Sequence, residues 1–118
     1  MAESARTLLE VEQVRALAQV RELTRELASI IASTADGAAG GDDEHDPEGA
    51  TIAYERQHVA ALLARTHDHL ADVSAALRKV DEGRYGFCDR CGLPIGAQRL
   101  AARPASLTCI RCAGRGPR

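Results

Sequence analysis

Cys88, Cys91, Cys109 and Cys112 stand in the arrangement C-x2-C-x17-C-x2-C. Each C-x2-C turn brings two sulfurs to one side at the separation a tetrahedral ion requires, so two turns close a four-thiolate site suited to one structural Zn2+. Two disulfides would need an oxidising compartment, and the chain opens on MAESARTLLEVEQ, charged where a secretory signal has an apolar core. A reducing cytoplasm is therefore expected. A thioredoxin-like redox pair needs one C-x-x-C beside a strand-helix-strand unit, and no such pattern occurs. Four thiolates with one Zn2+ leave a local charge of about −2, which Arg90 and Arg111, one inside each turn, are placed to offset. The closed shell leaves no position for a metal-activated water, so no enzyme is expected. His45, His58, His67 and His69 are then not needed as ligands and read as solvent-facing side chains.

A second concentration of chemistry is the stretch GGDDEHDPEGA, which gathers Asp42, Asp43, Glu44, Asp46 and Glu48 with no Lys or Arg among them. Taken alone, such a run is an ordinary solvated loop. The overall balance is also polarised. Residues 1–82 hold 16 acidic against 8 basic side chains, a net −8, while residues 83–118 set Asp89 alone against seven arginines, a net +6. One end attracts cations and the other anions.

The elements that must position these groups follow from the apolar pattern. In 118 residues the only aromatics are Tyr54, Tyr85 and Phe87, which favours a thin helix-on-helix seam over a thick core. Leu9, Ala16, Val20, Leu23, Leu27 and Ile30 recur at threes and fours, with Gln13 the polar member. Ile52, Val59, Leu63, Thr66, Leu70, Val73, Leu77 and Val80 do the same, interrupted only by Arg56 and Thr66. Each series predicts a helix of about 30 residues, about 45 Å long. Between them Gly37, Gly40 and Gly41 break the first helix, and Asp46-Pro47 reads as an N-cap with Pro at the first helical position. The fold expected is mainly α: an antiparallel coiled-coil hairpin with a small C-terminal four-cysteine zinc finger. Its parts are helix one at 1–33, an acidic tip at 34–50, helix two at 51–82 and the finger at 83–118. A coiled-coil dimer is the alternative geometry. No apolar run approaches the roughly 18 residues of a membrane span.

The segment GRYGFCDRCGLPIGAQRLAARPASLTCIRC, Gly83 to Cys112, resembles the finger of the DksA/TraR group of bacterial RNA polymerase-binding regulators. The likeness lies in the cysteine spacing, the aromatic-Gly-aromatic lead-in to Cys88, and the Ile-Gly and Arg-Leu-x-Ala-Arg-Pro segments. The order of hairpin, acidic tip and finger extends it over most of the chain. The resemblance implies that the hairpin enters the secondary channel of RNA polymerase with its tip near the catalytic Mg2+. The tip residues would then be Asp42, Asp43, Asp46, Glu48 and Ala50. The family's tip motif is Asp-x-x-Asp-x-Ala. In one register its Ala falls on Ala50, its second acid on Glu48 and its first on His45; in the other, Asp43 and Asp46 fit and Glu48 replaces the Ala.

The resemblance further implies an anion or polymerase contact at Arg99 and Arg103. In the family, guanosine tetraphosphate binds where finger and coiled coil meet the polymerase. Arg103 matches one basic contact of that site, but Asp72 and Ala113 fall on the other two. A weak or absent response to the nucleotide is expected, since charge-assisted contacts supply most phosphate affinity. The competing function class is a nucleic-acid-binding zinc module scaffolded by the coiled coil. Direct DNA binding is disfavoured, because the finger offers no helix rich in base-reading side chains and the acidic hairpin repels phosphate.

Overall fold

The computed structural model describes residues 2–37 and 47–115, with side chains described for 3–33 and 49–115. Four helices follow in order: α1 (Ala2–Gly37), α2 (Pro47–Asp81), α3 (Ala97–Ala102) and α4 (Ile110–Ala113). The two long helices outrun their apolar series. Helix α1 continues through Ser33 to Gly37, the first of the glycines expected to break it, and α2 starts at Pro47, the expected first helical position, ahead of the apolar series that opens at Ile52. A helix needs an apolar partner only where it packs, and Pro at the first turn gives up no intrahelical bond, so the backbone propagates beyond the seam. Asp42, Asp43, His45 and Asp46 lie outside the described residues. Among the described residues no helix is long and apolar enough to cross a membrane.

Contacts divide the chain into two units, one of Met1–Ala16 with Asp68–Arg118 and the other of Leu17–His67. In the second unit Leu23, Val59 and Thr66 are buried, and Val20, Leu27, Ile30, Ile52 and Leu63 are half-buried. The seam residues are thus those of the heptad pattern. Thr66 is tolerated there because its hydroxyl donates to the Leu62 carbonyl one turn back at 2.8 Å, leaving no buried donor unpaired.

In the first unit α1 and α2 run antiparallel. Arg6 pairs with Asp81 at 2.6 Å, while one to two turns further along α1 Glu12 pairs with His69 at 2.6 Å and Gln13 donates to the Ser74 hydroxyl at 3.5 Å, both earlier in α2. Under these pairs Ala5, Leu9, Val73, Ala76 and Val80 form a closed cluster, in which Leu9, Val73 and Ala76 have no exposure. The alanines let the two backbones approach, and Leu9 and Val73 fill the seam. Tyr85, Ala105 and Leu107 of the following segment pack against the same cluster.

Helix α2 stops at a Schellman motif. Gly83 adopts φ +73°, its N–H bonds to the Val80 carbonyl at 3.2 Å, and the Arg84 N–H bonds to the Lys79 carbonyl at 2.8 Å. Only glycine takes that left-handed conformation without strain. The turn sends the chain directly into the finger.

Candidate metal centre

Two short turns carry the cysteines. The first is framed by a minimal antiparallel bridge between Phe87 and Pro94, with the Cys88 N–H on the Leu93 carbonyl and the Ile95 N–H on the Gly86 carbonyl, each at 2.8 Å. Inside it the Gly92 N–H returns to the Cys88 carbonyl at 2.9 Å, with Gly92 at φ +77°. The Arg90 N–H points at Cys88 Sγ at 3.4 Å. The second turn runs from Cys109 into α4, where the Ala113 N–H bonds the Cys109 carbonyl at 2.9 Å. Two bonds join the turns, the Asp89 N–H to the Leu107 carbonyl at 2.8 Å and the Arg90 guanidinium to the Cys112 carbonyl at 2.9 Å, and from α3 Arg99 Nε donates to the Thr108 carbonyl at 3.0 Å just before the second turn.

The four Sγ atoms consequently lie within 4.8 Å of one another, the one such group of potential ligands among the described residues. Cys88, Cys109 and Cys112 are buried and Cys91 is exposed. Cys91 Sγ and Cys109 Sγ are 3.8 Å apart, the edge of a tetrahedron about 3.8 Å on a side that Zn–S bonds of about 2.3 Å build. A disulfide would need about 2.05 Å. The donor set therefore fits Zn2+, which when bound cross-links the two turns. Ile95 is buried with the cysteines, and Leu100 packs on them.

The thiols are electrostatically divided. Burial pushes the Cys88 thiol up, but the backbone N–H groups of Cys109, Cys91 and Arg90 outweigh it and bring it down to about 6. The Cys112 backbone N–H likewise lowers Cys109. Cys112 is pushed up to about 12, by burial first and then by the neighbouring sulfurs. Backbone dipoles favour a thiolate at the site while the sulfurs oppose a further one beside it, a conflict that a divalent cation removes.

The other sequence-derived positions fare differently. Arg90 is tied to the Cys112 carbonyl, whereas Arg111 is exposed on α4. Arg99 and Arg103 line an open groove with Ile95, Ala102 and Ile110, and Arg99 is committed through Nε to Thr108. Asp72, Arg103 and Ala113 are exposed. Glu48 and Ala50 fall in the first turn of α2, with Ala50 exposed; Asp42, Asp43 and Asp46 are outside the described residues.

Lys79 escaped sequence reasoning. It is 3% exposed in the last turn of α2, and its ammonium bonds the Phe87 carbonyl and, at 2.8 Å, the Asp89 carboxylate. A signal existed: it is the single lysine in a chain with fourteen arginines. Tyr85 was also missed as an anchor; its hydroxyl donates to the Pro104 carbonyl at 2.8 Å.

Residues 83–115 match the family described as the prokaryotic dksA/traR C4-type zinc finger. The RNA polymerase-binding transcription factor DksA of Escherichia coli K12 is 30% identical over 93 residues, 77% of this chain and 59% of that one. With the structure of transcription factor DksA2 from Pseudomonas aeruginosa the chain superposes at a TM-score of 0.73 and 26% identity, over 97% of this chain and 81% of that one. The chain belongs to the DksA/TraR family. Another DksA, from Caulobacter vibrioides NA1000, is 39% identical over 62 residues, covering 49% of this chain and 44% of its own. This DksA/TraR chain spans less than two thirds of the length of these curated relatives. The family's mainly helical hairpin with a four-cysteine finger is the fold seen here, and a C4-type finger with clustered sulfurs supports zinc binding.

Proposed function

We propose that the protein is a non-enzymatic transcription regulator that binds RNA polymerase, with the connection between α1 and α2 entering the secondary channel and one structural Zn2+ on Cys88, Cys91, Cys109 and Cys112. The observation that carries this reading is the likeness to proteins named RNA polymerase-binding transcription factor DksA, which reaches over 77% of the chain and so includes helical residues as well as the finger. The acidic stretch from Asp42 to Glu48 supports it chemically: carboxylates at the end of a helical pair suit a basic channel or a catalytic metal. In this reading the finger fixes the base of the hairpin and the carboxylates are the effector. Arg103 is an outward cation for the polymerase or an anion, and with Asp72 and Ala113 at the other two positions the guanosine tetraphosphate response is weak or absent.

The test combines polymerase pull-down with promoter-complex lifetimes for the parent and for a triple variant, Asp43→Asn, Asp46→Asn and Glu48→Gln. The parent binds and changes lifetimes. The variant binds with nearly the same affinity, because a tip supplies little of the contact area, but no longer changes lifetimes. Regulation by the variant equal to that by the parent contradicts the effector role, and loss of all binding makes the tip an anchor instead.

A further inference from the structure

A buried ammonium is tolerated only where it is paired, because burial removes its hydration. Lys79 is the one buried charged side chain among the described residues. Its two partners, Phe87 and Asp89, are the residues on either side of Cys88. The same residue is tied a second time through its backbone, since the Lys79 carbonyl accepts the Arg84 N–H at the helix stop. Asp89 in turn donates its N–H to the carbonyl of Leu107, whose side chain packs on the helical cluster of Leu9, Val73 and Ala76. The ammonium therefore sits where the end of α2 meets the first cysteine turn. Arginine, with a planar fork in place of a compact three-donor point charge, is no substitute there.

We propose that Lys79 is a positioning residue that couples metal occupancy of the four-cysteine site to closure of the helix end. The inference rests on zinc being the occupant of that site. The Phe87 carbonyl and the Asp89 carboxylate converge on Lys79 only while the Cys88 turn is closed. The apolar support of that turn beside the sulfurs is only Ile95 and Leu100, and the few hydrogen bonds that clamp it, such as Asp89 N–H to the Leu107 carbonyl and Arg90 to the Cys112 carbonyl, do not keep it closed when the metal leaves. Metal loss thus strands a cation at the end of α2, and the last turns of the helix open to hydrate it. By linkage, the paired ammonium tightens metal binding by the same factor.

The experiment uses the full chain. Zinc per chain is measured first, and a chain that holds none overturns the underlying reading rather than the coupling. Amide hydrogen exchange over residues 75–81 is then followed with zinc bound and after chelation, and zinc affinity is measured by competition with a chromophoric chelator, for the parent, Lys79→Met and Asp89→Asn. In the parent, chelation speeds exchange at the helix end by about tenfold or more. In Lys79→Met no cation is stranded, so the chelated helix end exchanges more slowly than the chelated parent's, while zinc affinity falls by about tenfold. A purely structural lysine would make the chelated variant less protected. Asp89→Asn, at a half-exposed position outside the helix, keeps the carbonyl contact and lowers zinc affinity by about threefold. Coupling carried instead by Tyr85, Ala105 and Leu107 on the helical cluster is untouched by either substitution. Equal exchange after chelation in parent and Lys79→Met therefore overturns the proposal. If Lys79→Met does not fold, unchanged zinc affinity in Asp89→Asn overturns it as well.

Discussion

Cys109→Ser removes one of the two sulfurs measured at 3.8 Å and with it the closed shell. Zinc content should fall from one per chain towards zero, and the finger should lose its order. Most of the far-UV helical signal should persist, because the cluster of Leu9, Val73 and Ala76 lies between the long helices. Metal analysis beside circular dichroism checks this, and a fully ordered, metal-free finger would contradict it. The cysteines were legible because a C-x2-C turn is a local device: spacing alone sets which way two sulfurs point. The apolar residues of the finger were not legible in the same way. Phe87, Leu93 and Ile110 are natural candidates for a finger core, yet all three are exposed, Ile110 at 72%. The core is built from the cysteines with Ile95 and Leu100, while Tyr85 and Leu107 serve the helical cluster instead. Composition says that a side chain is apolar, not which of two neighbouring cores will take it. Lys79 was hidden for a related reason, since its burial exists only once the finger closes over the helix end.

The helices were readable because a period near 3.5 selects one face of the backbone. Every buried member of the two series, from Leu9 and Ala16 to Val73 and Val80, lies where that period puts it. Ala5 and Ala76 lie outside those series: small residues contribute little to an apolar pattern, yet they set how closely two helices can approach. Helix ends were read from a different signal: α1 runs to Gly37 and α2 begins at Pro47, both beyond the last apolar partner but where the breaking glycine and the first-turn proline put them. The seam yields a paired test. Leu9 has no exposure and Leu8 is 56% exposed. Leu9→Ala should therefore destabilise the chain by about 2–5 kcal/mol, and Leu8→Ala by no more than about 0.5 kcal/mol. Urea unfolding followed by circular dichroism separates the two; equal effects would mean that the α1 seam is misassigned.

Across the whole chain the charge is divided, with −8 on residues 1–82 and +6 on residues 83–118. Exposed Arg103 has Asp72 and Ala113, not cations, at the positions its family resemblance pairs with it. Guanosine tetraphosphate should accordingly change this protein's effect on transcription little when the polymerase lacks a nucleotide site of its own, and strong synergy would overturn that expectation. The division was legible at once from the sequence, but what it serves was not, because a net charge names no partner. The resemblance points to RNA polymerase as the partner, and the effector role proposed for the Asp42 to Glu48 stretch rests on its chemistry. That role can be read directly by replacing the catalytic Mg2+ of RNA polymerase with Fe2+ and generating hydroxyl radicals, which cut only backbone close to the metal. If the hairpin end enters the secondary channel, the bound chain is cut between residues 38 and 50 and the finger is spared. No cleavage of a chain that is demonstrably bound, or cleavage confined to residues 83–115, would contradict the account.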